Sequence, residues 1–510
     1  MAASSVASGI LVSRVLGLVR GRVFAHYFGT GDLADAWTAA LRIPNVIQNL
    51  LGEGSLSASF IPAYVRLLEE GREREAGRAA GAVLGLLAVA AGAMAALGSW
   101  AAPHLVSVLT WGFTNDDRAE IVTTLLRLLF PMAGLLVVSA WALGVLNSHR
   151  RFFVSYVAPS LWNLAMIVAM VAAASRGMAG VDLLTALAWG ALAGGAMQLL
   201  FQLPFLIRHL THVRPSLDVR SGPVREVVRN FVPAVASRGA VNIGALIDQN
   251  LATLLAVGAV GLMGYAQPLY ILPISLFGMS IAASELPELS RDRVAGVKAV
   301  RDRTEQAVGR VLFWLVPVTA GYILFREECM VVFRSGAFGP DDAAAAGLVL
   351  AAFAPGLPAS GASRVLSSAL YAFGDTRTAA RISYLRILTS AAVGASLMFP
   401  FDRFVVGGLG MGAAGLAVGA TAGAWLEFAL LRRALRERLL GLSLGGRHVG
   451  AYVLAAVIAV GVGLAIRAVL PPVGPILQAA ATIGPVAAVY LFATHRLGFP
   501  FPRPGTPRRK

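Results

Sequence analysis

Long apolar runs alternate with short polar breaks along the whole chain. Runs of about 20 residues or more, each long enough to cross a hydrocarbon core of about 30 Å, lie near residues 4–28, 34–66, 79–101, 119–147, 152–175 and 181–207. After a polar connection they resume near 231–257, 260–286, 306–327, 343–372, 378–399, 408–431, 449–470 and 474–495. The pattern predicts an all-α polytopic membrane protein of about fourteen transmembrane helices, with no stretch left for a sizeable soluble domain.

The breaks carry the orientation. "RLLEEGREREAGR", "SHRR", "RHLTHVRPSLDVRSGPVREVVR", "RDRVAGVKAVRDR", "GDTRTAAR", "RRALRER" and the tail "RPGTPRRK" fall on alternate connections, while "FGTGDLAD" and "AVGAVGL" have almost no Lys or Arg. The positive-inside rule then puts both termini in the cytoplasm. The first run is interrupted by arginines and lacks the layout of a cleavable signal peptide. It starts almost at Met1, as a chain truncated at its amino end would.

Two connections repeat. "GFTNDDRAE" precedes the fourth run and "GAFGPDDAA" the tenth; Phe113 and Phe338 are 225 positions apart, as are the pairs Asp116, Asp117 and Asp341, Asp342. Ser13 and Arg14 recur as Ser237 and Arg238. Two pseudo-symmetric six-helix lobes are expected, residues 1–208 and 231–440, joined by a cytoplasmic linker at 209–230 and followed by two further helices and a basic tail in 441–510. An even number of helices per lobe gives both the same orientation, an arrangement that suits a substrate site between lobes and rocking of one against the other.

Composition agrees with a bilayer as solvent: of 510 residues 57% are hydrophobic and 14% charged, with mean hydropathy +0.71, where soluble domains carry about 25% charged residues. The net charge of +16 sits in short loops between apolar spans, which argues against nucleic acid as a partner and for the bilayer itself. One cysteine, Cys329, and seven scattered histidines offer no disulfide framework and no metal-ligand spacing, so no metal and no cofactor are expected. "GMGAAG" lies inside an apolar run without a preceding strand, where helix packing explains it better than a dinucleotide fingerprint. No phosphate-binding loop and no nucleophile with a base appear, so a transporter is expected and not an enzyme. Transport would draw on a coupling monovalent cation, the membrane potential or a downstream pull.

The charges inside the runs are the candidate chemistry. An Arg near the middle of a lone membrane helix costs about 2.5 to 3.5 kcal/mol, and the first run carries Arg14, Arg20 and Arg22. A polar or water-filled cavity beside it is expected, bounded also by Asp35, Arg42, Asn45, Gln48, Asn49 and Glu53 of the second run, Arg238 of the seventh and Arg364 of the tenth. Prolines at both ends and glycines in the middle of "IPNVIQNLLGEGSLSASFIP" predict a bent second helix. Arg42, Glu53, Arg386 and Glu427 fit plain ion pairs as well as a site. Asp248 fits either a proton or cation site or a partner for Arg238. Cationic groups outnumber anionic ones, and guanidinium pairs well with phosphate or carboxylate, so the substrate is expected to be an anion.

"SRVLGLVRGRVFAHYFGTGDLADAWTAALRIPNVIQNLLGEGSLSASFIPAY", "ASELPELSRDR", "FRSGAFGPDDA" and "SSALYAFGDTRTAAR" together resemble the MurJ (MviN) lipid II flippase family of the multidrug/oligosaccharidyl-lipid/polysaccharide exporter superfamily. The resemblance spans the first eleven runs. It implies transport of an undecaprenyl-diphosphate-linked disaccharide-pentapeptide, the peptidoglycan precursor, across the bacterial cytoplasmic (inner) membrane by alternating access. The headgroup would cross a cationic cavity and the lipid tail would lie in a groove associated with the last two helices. Cell-wall synthesis proteins are further candidate partners. The family's Ser-Arg and following Arg fall on Ser13, Arg14 and Arg20, its aspartate on Asp35, its Pro-Asn on Pro44 and Asn45, its Glu-Gly on Glu53 and Gly54, and its seventh-helix aspartate on Asp248. Family arginines are replaced here by Gln48 and Asn49, and in "YAQPLY" by Gln267 and Pro268, which leaves open a different polyprenyl-linked glycan. A membrane scaffold of cell-wall synthesis without transport is the alternative from another class; it would need no hydrated, charged cavity.

Overall fold

A computed structural model of the chain describes residues 2–113, 116–209, 211–443, 446–471 and 474–498. The side chains of residues 2–11, 53, 58, 152, 156, 234, 236–238, 240–241, 294–295 and 446–448 lie outside that description, and with them the expected site residues Glu53 and Arg238. The basic tail also lies outside it.

The chain packs as two compact units. The first comprises Met1–Gly261 with Ser335–Phe338, the second Leu262–Arg334 with Gly339–Lys510. In the first unit α1 (Ala2–Phe28), α2 (Asp32–Leu51), α3 (Glu53–Glu69), α4 (Glu73–Trp100), the short α5 (Ala102–Leu109), α6 (Asp117–Ser148), α7 (Phe152–Ala174), α8 (Gly180–Ile207) and α9 (Gly222–Thr253) follow in order. α10 (Ala259–Pro273) leads into the second unit, which holds α11 (Ser280–Ala295), α12 (Val297–Leu324), α13 (Arg326–Met330), α14 (Pro340–Phe353), α15 (Leu357–Ala372), α16 (Thr376–Asp402), α17 (Gly412–Arg438), α18 (Gly446–Val469) and α19 (Pro475–Arg496). A two-residue hairpin, β1 (Val405–Val406) with β2 (Leu409–Gly410), is the sheet among the described residues.

Eleven of the described helices are long and apolar enough to cross a membrane. Helices α1, α2, α3 and α9, which carry Arg14, Arg20, Asp35, Arg42 and Asp248, are not among them. The expected bend of the second run is a break at Gly52. Its N–H donates to the Gln48 carbonyl at 2.7 Å, and a Cβ there would lie 2.5 Å from that same oxygen. A larger residue would have to push the chain off this turn.

The repeated turns do the same work twice. Asp116 caps α6 by accepting from the Arg118 N–H at 3.1 Å, and Asp342 caps α14 by accepting from the Gly339 N–H at 2.8 Å. Phe113 and Phe338 are both fully buried. Each turn also grips the first helix of the opposite repeat. Trp111 N–H donates to Asn250 Oδ1 and Gly112 N–H to Thr253 Oγ1, both at 3.1 Å on α9. The Ala337 N–H donates to the His26 carbonyl at the end of α1 at 2.8 Å.

That exchange places α9 within the first unit, where the linear run of residues 231–440 leads one to expect it in the second lobe. The physical reason is polar: Gln249 Nε2 donates to the Ala39 carbonyl of α2 at 3.1 Å and Asn250 Nδ2 to the Val108 carbonyl at 3.3 Å. Amide side chains inside a membrane protein stay where they find partners. In the second unit α19 is fastened to α12 by Tyr490, whose hydroxyl donates to the Phe313 carbonyl at 2.6 Å. Phe313, Tyr452 of α18 and Tyr490 form one aromatic cluster in the core.

Candidate functional site

Each unit contributes charged side chains to the membrane interior. On α1, Arg14 is exposed and Arg20 half-buried. The Arg20 guanidinium lies 5.2 Å from the centre of the Trp162 ring of α7, a face that attracts cations by about 0.5 to 2 kcal/mol. On α2, Arg42, Asn45 and Asn49 recur at helical spacing and share one face. Asn45 and Gln48 are half-buried and Asn49 is exposed. Asp248, half-buried on α9, acts electrostatically on Arg42. The structure thus gives Asp248 a cation of α2 as neighbour, and Arg42 joins the polar groups between α2 and α9.

Asp35 departs from its expected place beside an open cavity. It is 0% exposed. One oxygen accepts from the Gly261 N–H at 2.6 Å, and the other from the Gly258 N–H at 2.8 Å and from Arg118 Nη1 at 3.0 Å. Arg118 also pairs with Asp116 at 2.6 Å and Asp32 at 3.6 Å, and its guanidinium sits 4.2 Å from the centre of the Phe113 ring. A buried carboxylate must find this many donors, since an unpaired charge costs several kcal/mol. Asp35 is therefore a clamp that joins α2, α6 and the turn between α9 and α10, and Arg118 is a member that periodicity alone does not single out.

The second unit holds a cavity of about 1090 Å³ between α12, α15, α17 and α18. Its walls are apolar, with Leu312, Val316, Trp425, Phe428, Val449 and Val453 among them, and Arg301, Arg432 and Arg436 also line it. All three arginines belong to connections or helix ends assigned to the cytoplasm. An apolar slot with several guanidiniums accepts a lipid tail bearing an anionic group. The last helix pair enters this cavity through α18 alone among the lining residues. Read along the sequence, "RDR" and "RRALRER" serve only as topology signals; their meeting around one slot is a tertiary fact.

Deeper in the second unit, Arg386 of α16 pairs with Glu427 of α17 at 2.7 Å. Ser383 Oγ donates to the same carboxylate at 3.4 Å. Arg364 of α15 lies in the field of Arg386, Glu427, Tyr270 and Tyr371. The sequence leaves Arg386 and Glu427 open between an ion pair and a site; here they pair with each other. Among the described residues no group of three or more His, Cys, Asp or Glu is placed to hold a metal.

The family described as "Lipid II flippase MurJ" matches residues 24–473 of the chain. "Probable lipid II flippase MurJ" of Haemophilus influenzae is 30% identical over 443 residues, which cover 84% of each chain. Its counterpart of the same description in Vibrio cholerae is 31% identical over 441 residues, 84% of this chain and 81% of that one. Among solved structures, "Lipid II flippase MurJ, inward closed conformation" superposes with a TM-score of 0.80 at 20% identity, covering 96% of this chain and 98% of the other. At that identity the likeness speaks for the fold.

Proposed function

This chain belongs to the lipid II flippase MurJ family, and on that premise we propose that it moves lipid II, the polyprenyl-diphosphate-linked peptidoglycan precursor, from the inner to the outer leaflet of the bacterial cytoplasmic membrane. The family match over residues 24–473 carries the reading. The geometry supports it on physical grounds. An amphiphile with a diphosphate needs cationic groups for its head and an apolar slot for its tail, because neither part is stable in the other's solvent. Arg20 and Arg42 suit the first need, and the cavity lined by Trp425, Phe428 and Val453 with Arg301, Arg432 and Arg436 suits the second. Both termini lie in the cytoplasm on this reading, by the positive-inside rule. Movement is driven by the membrane potential or a coupled monovalent cation.

Complementation tests it. The full chain is expressed in bacteria depleted of their own lipid II flippase, and survival and outer-leaflet lipid II are followed together. Rescue by the wild type and loss of rescue with inserted Arg20→Ala is the expected result. No rescue despite confirmed insertion would overturn lipid II as substrate and turn attention to other polyprenyl-linked glycans.

A further inference from the structure

The Arg20 guanidinium of α1 lies over the Trp162 ring of α7, 5.2 Å from its centre, and that ring is itself fixed by two other helices. Its Nε1–H donates to the Met132 sulfur of α6 at 3.3 Å. Its backbone sits against Gly194 of α8, where a Cβ would lie 3.0 Å from both the Trp162 Cα and the Trp162 carbonyl oxygen. The missing side chain at Gly194 permits that close approach. The indole is thus seated by α6 and α8 and turns a face to Arg20.

A ring face attracts a guanidinium through its quadrupole, so it takes up none of the N–H donors and cancels none of the charge. A carboxylate partner does both. Arg118 shows that case: Asp116, Asp35 and Asp32 surround it at 2.6, 3.0 and 3.6 Å, and its charge serves the fold. Holding an arginine by a ring fixes the guanidinium yet keeps its fork for an acceptor that comes and goes. An arginine held by nothing gives up rotamer freedom when it binds, and that ordering weakens binding.

We propose that Trp162 is a positioning residue for the diphosphate of the transported headgroup: it holds the Arg20 guanidinium where phosphate oxygens take up its N–H donors. This rests on the reading that Arg20 meets the headgroup of the lipid-linked substrate.

The test uses the purified full chain in detergent micelles, with the undecaprenyl-diphosphate-linked disaccharide-pentapeptide as probe. Arg20→Ala should weaken binding about tenfold or more. Trp162→Leu should weaken it about fivefold, and Trp162→Phe, which keeps a weaker ring face in a side chain the core accepts, about twofold. Neither change should alter the affinity further in an Arg20→Ala background, because the ring acts through that cation. Losses that persist undiminished in that background, or Trp162 variants that bind as the wild type does, would overturn the positioning role while leaving the flippase reading in place. An Arg20→Ala variant with wild-type affinity would overturn Arg20 as a headgroup contact and the positioning role with it. Failure of the wild type to bind the lipid would overturn both the positioning role and lipid II as substrate.

Discussion

Replacing Arg118 by methionine removes the cation from a carboxylate that has no access to water. Asp35 would keep the two amide donors of Gly258 and Gly261, at 2.8 and 2.6 Å, and lose the guanidinium at 3.0 Å. Breaking a buried pair from one side costs about 3 to 5 kcal/mol. The expected loss for Arg118→Met is therefore about 3 to 5 kcal/mol. Asp35→Asn should cost about 2 to 3 kcal/mol, since its amide nitrogen must face one of three donors. In the double variant the unpaired charge is gone, so the two losses should fall short of their sum by about 2 kcal/mol. Equilibrium unfolding in mixed micelles, followed by the fluorescence of the chain's eight tryptophans, gives all three values. Additive losses, or an Arg118→Met variant within about 1 kcal/mol of wild type, would refute the clamp.

Three further outcomes are expected. The connection between α8 and α9 runs as a strap along Gly77, Gly81 and Gly85 of α4, where the Ser216 N–H donates to the Gly81 carbonyl at 3.2 Å and a Cβ at Gly81 would collide with the Arg214 carbonyl. Gly81→Val should lift the strap at a cost of about 1 to 3 kcal/mol and speed tryptic cleavage after Arg220 severalfold; an unchanged digestion rate would contradict this packing. His149 and His209 stack with ring centres 4.0 Å apart, with the Tyr64 hydroxyl 3.2 Å from His149 Nε2 and Glu73, Arg151 and Arg208 nearby. Burial first, then nearby positive charge, holds both imidazoles below their ordinary value. The unfolded chain then binds these protons more readily, so their contribution is complete above about pH 6.5 and is lost as pH falls through the folded values. The wild type should lose thermal stability between pH 7 and 5 more steeply than a His149→Gln, His209→Gln variant, and parallel curves would contradict the assignment. Finally, Arg432→Gln with Arg436→Gln should weaken binding of a polyprenyl diphosphate by about tenfold and leave binding of the uncharged polyprenol alike, as measured by native mass spectrometry.

What could be read along the chain was what repeats or recurs at helical spacing. The apolar runs marked the long helices because a bilayer demands continuous apolar surface, and the Pro and Gly positions marked the break at Gly52 because the local backbone alone sets it. The 225-residue offset marked two related turns, each leading into a helix whose start an aspartate caps, since such a turn needs only a few consecutive residues. Partnership across the fold left no such trace. Asp35 and Arg118 stand 83 positions apart, and neither local propensity nor periodicity records which cation reaches which carboxylate. A buried Asp in an apolar run is compatible with a wet cavity or a dry clamp, and only the count of donors around it decides. The same limit hid the slot lined by Arg301, Arg432 and Arg436: arginines at cytoplasmic helix ends satisfy the positive-inside rule whether they point apart or converge. α9 shows the converse case. Its Arg238 and Asp248 pointed to a polar interior, but the backbone groups of α2, of the α5 end and of the turn at 111–112 that pair with Gln249, Asn250 and Thr253 decide which unit the helix joins. In a chain solvated by lipid, hydropathy therefore specifies the helices, while the choice of partner for each polar group specifies how they are assembled.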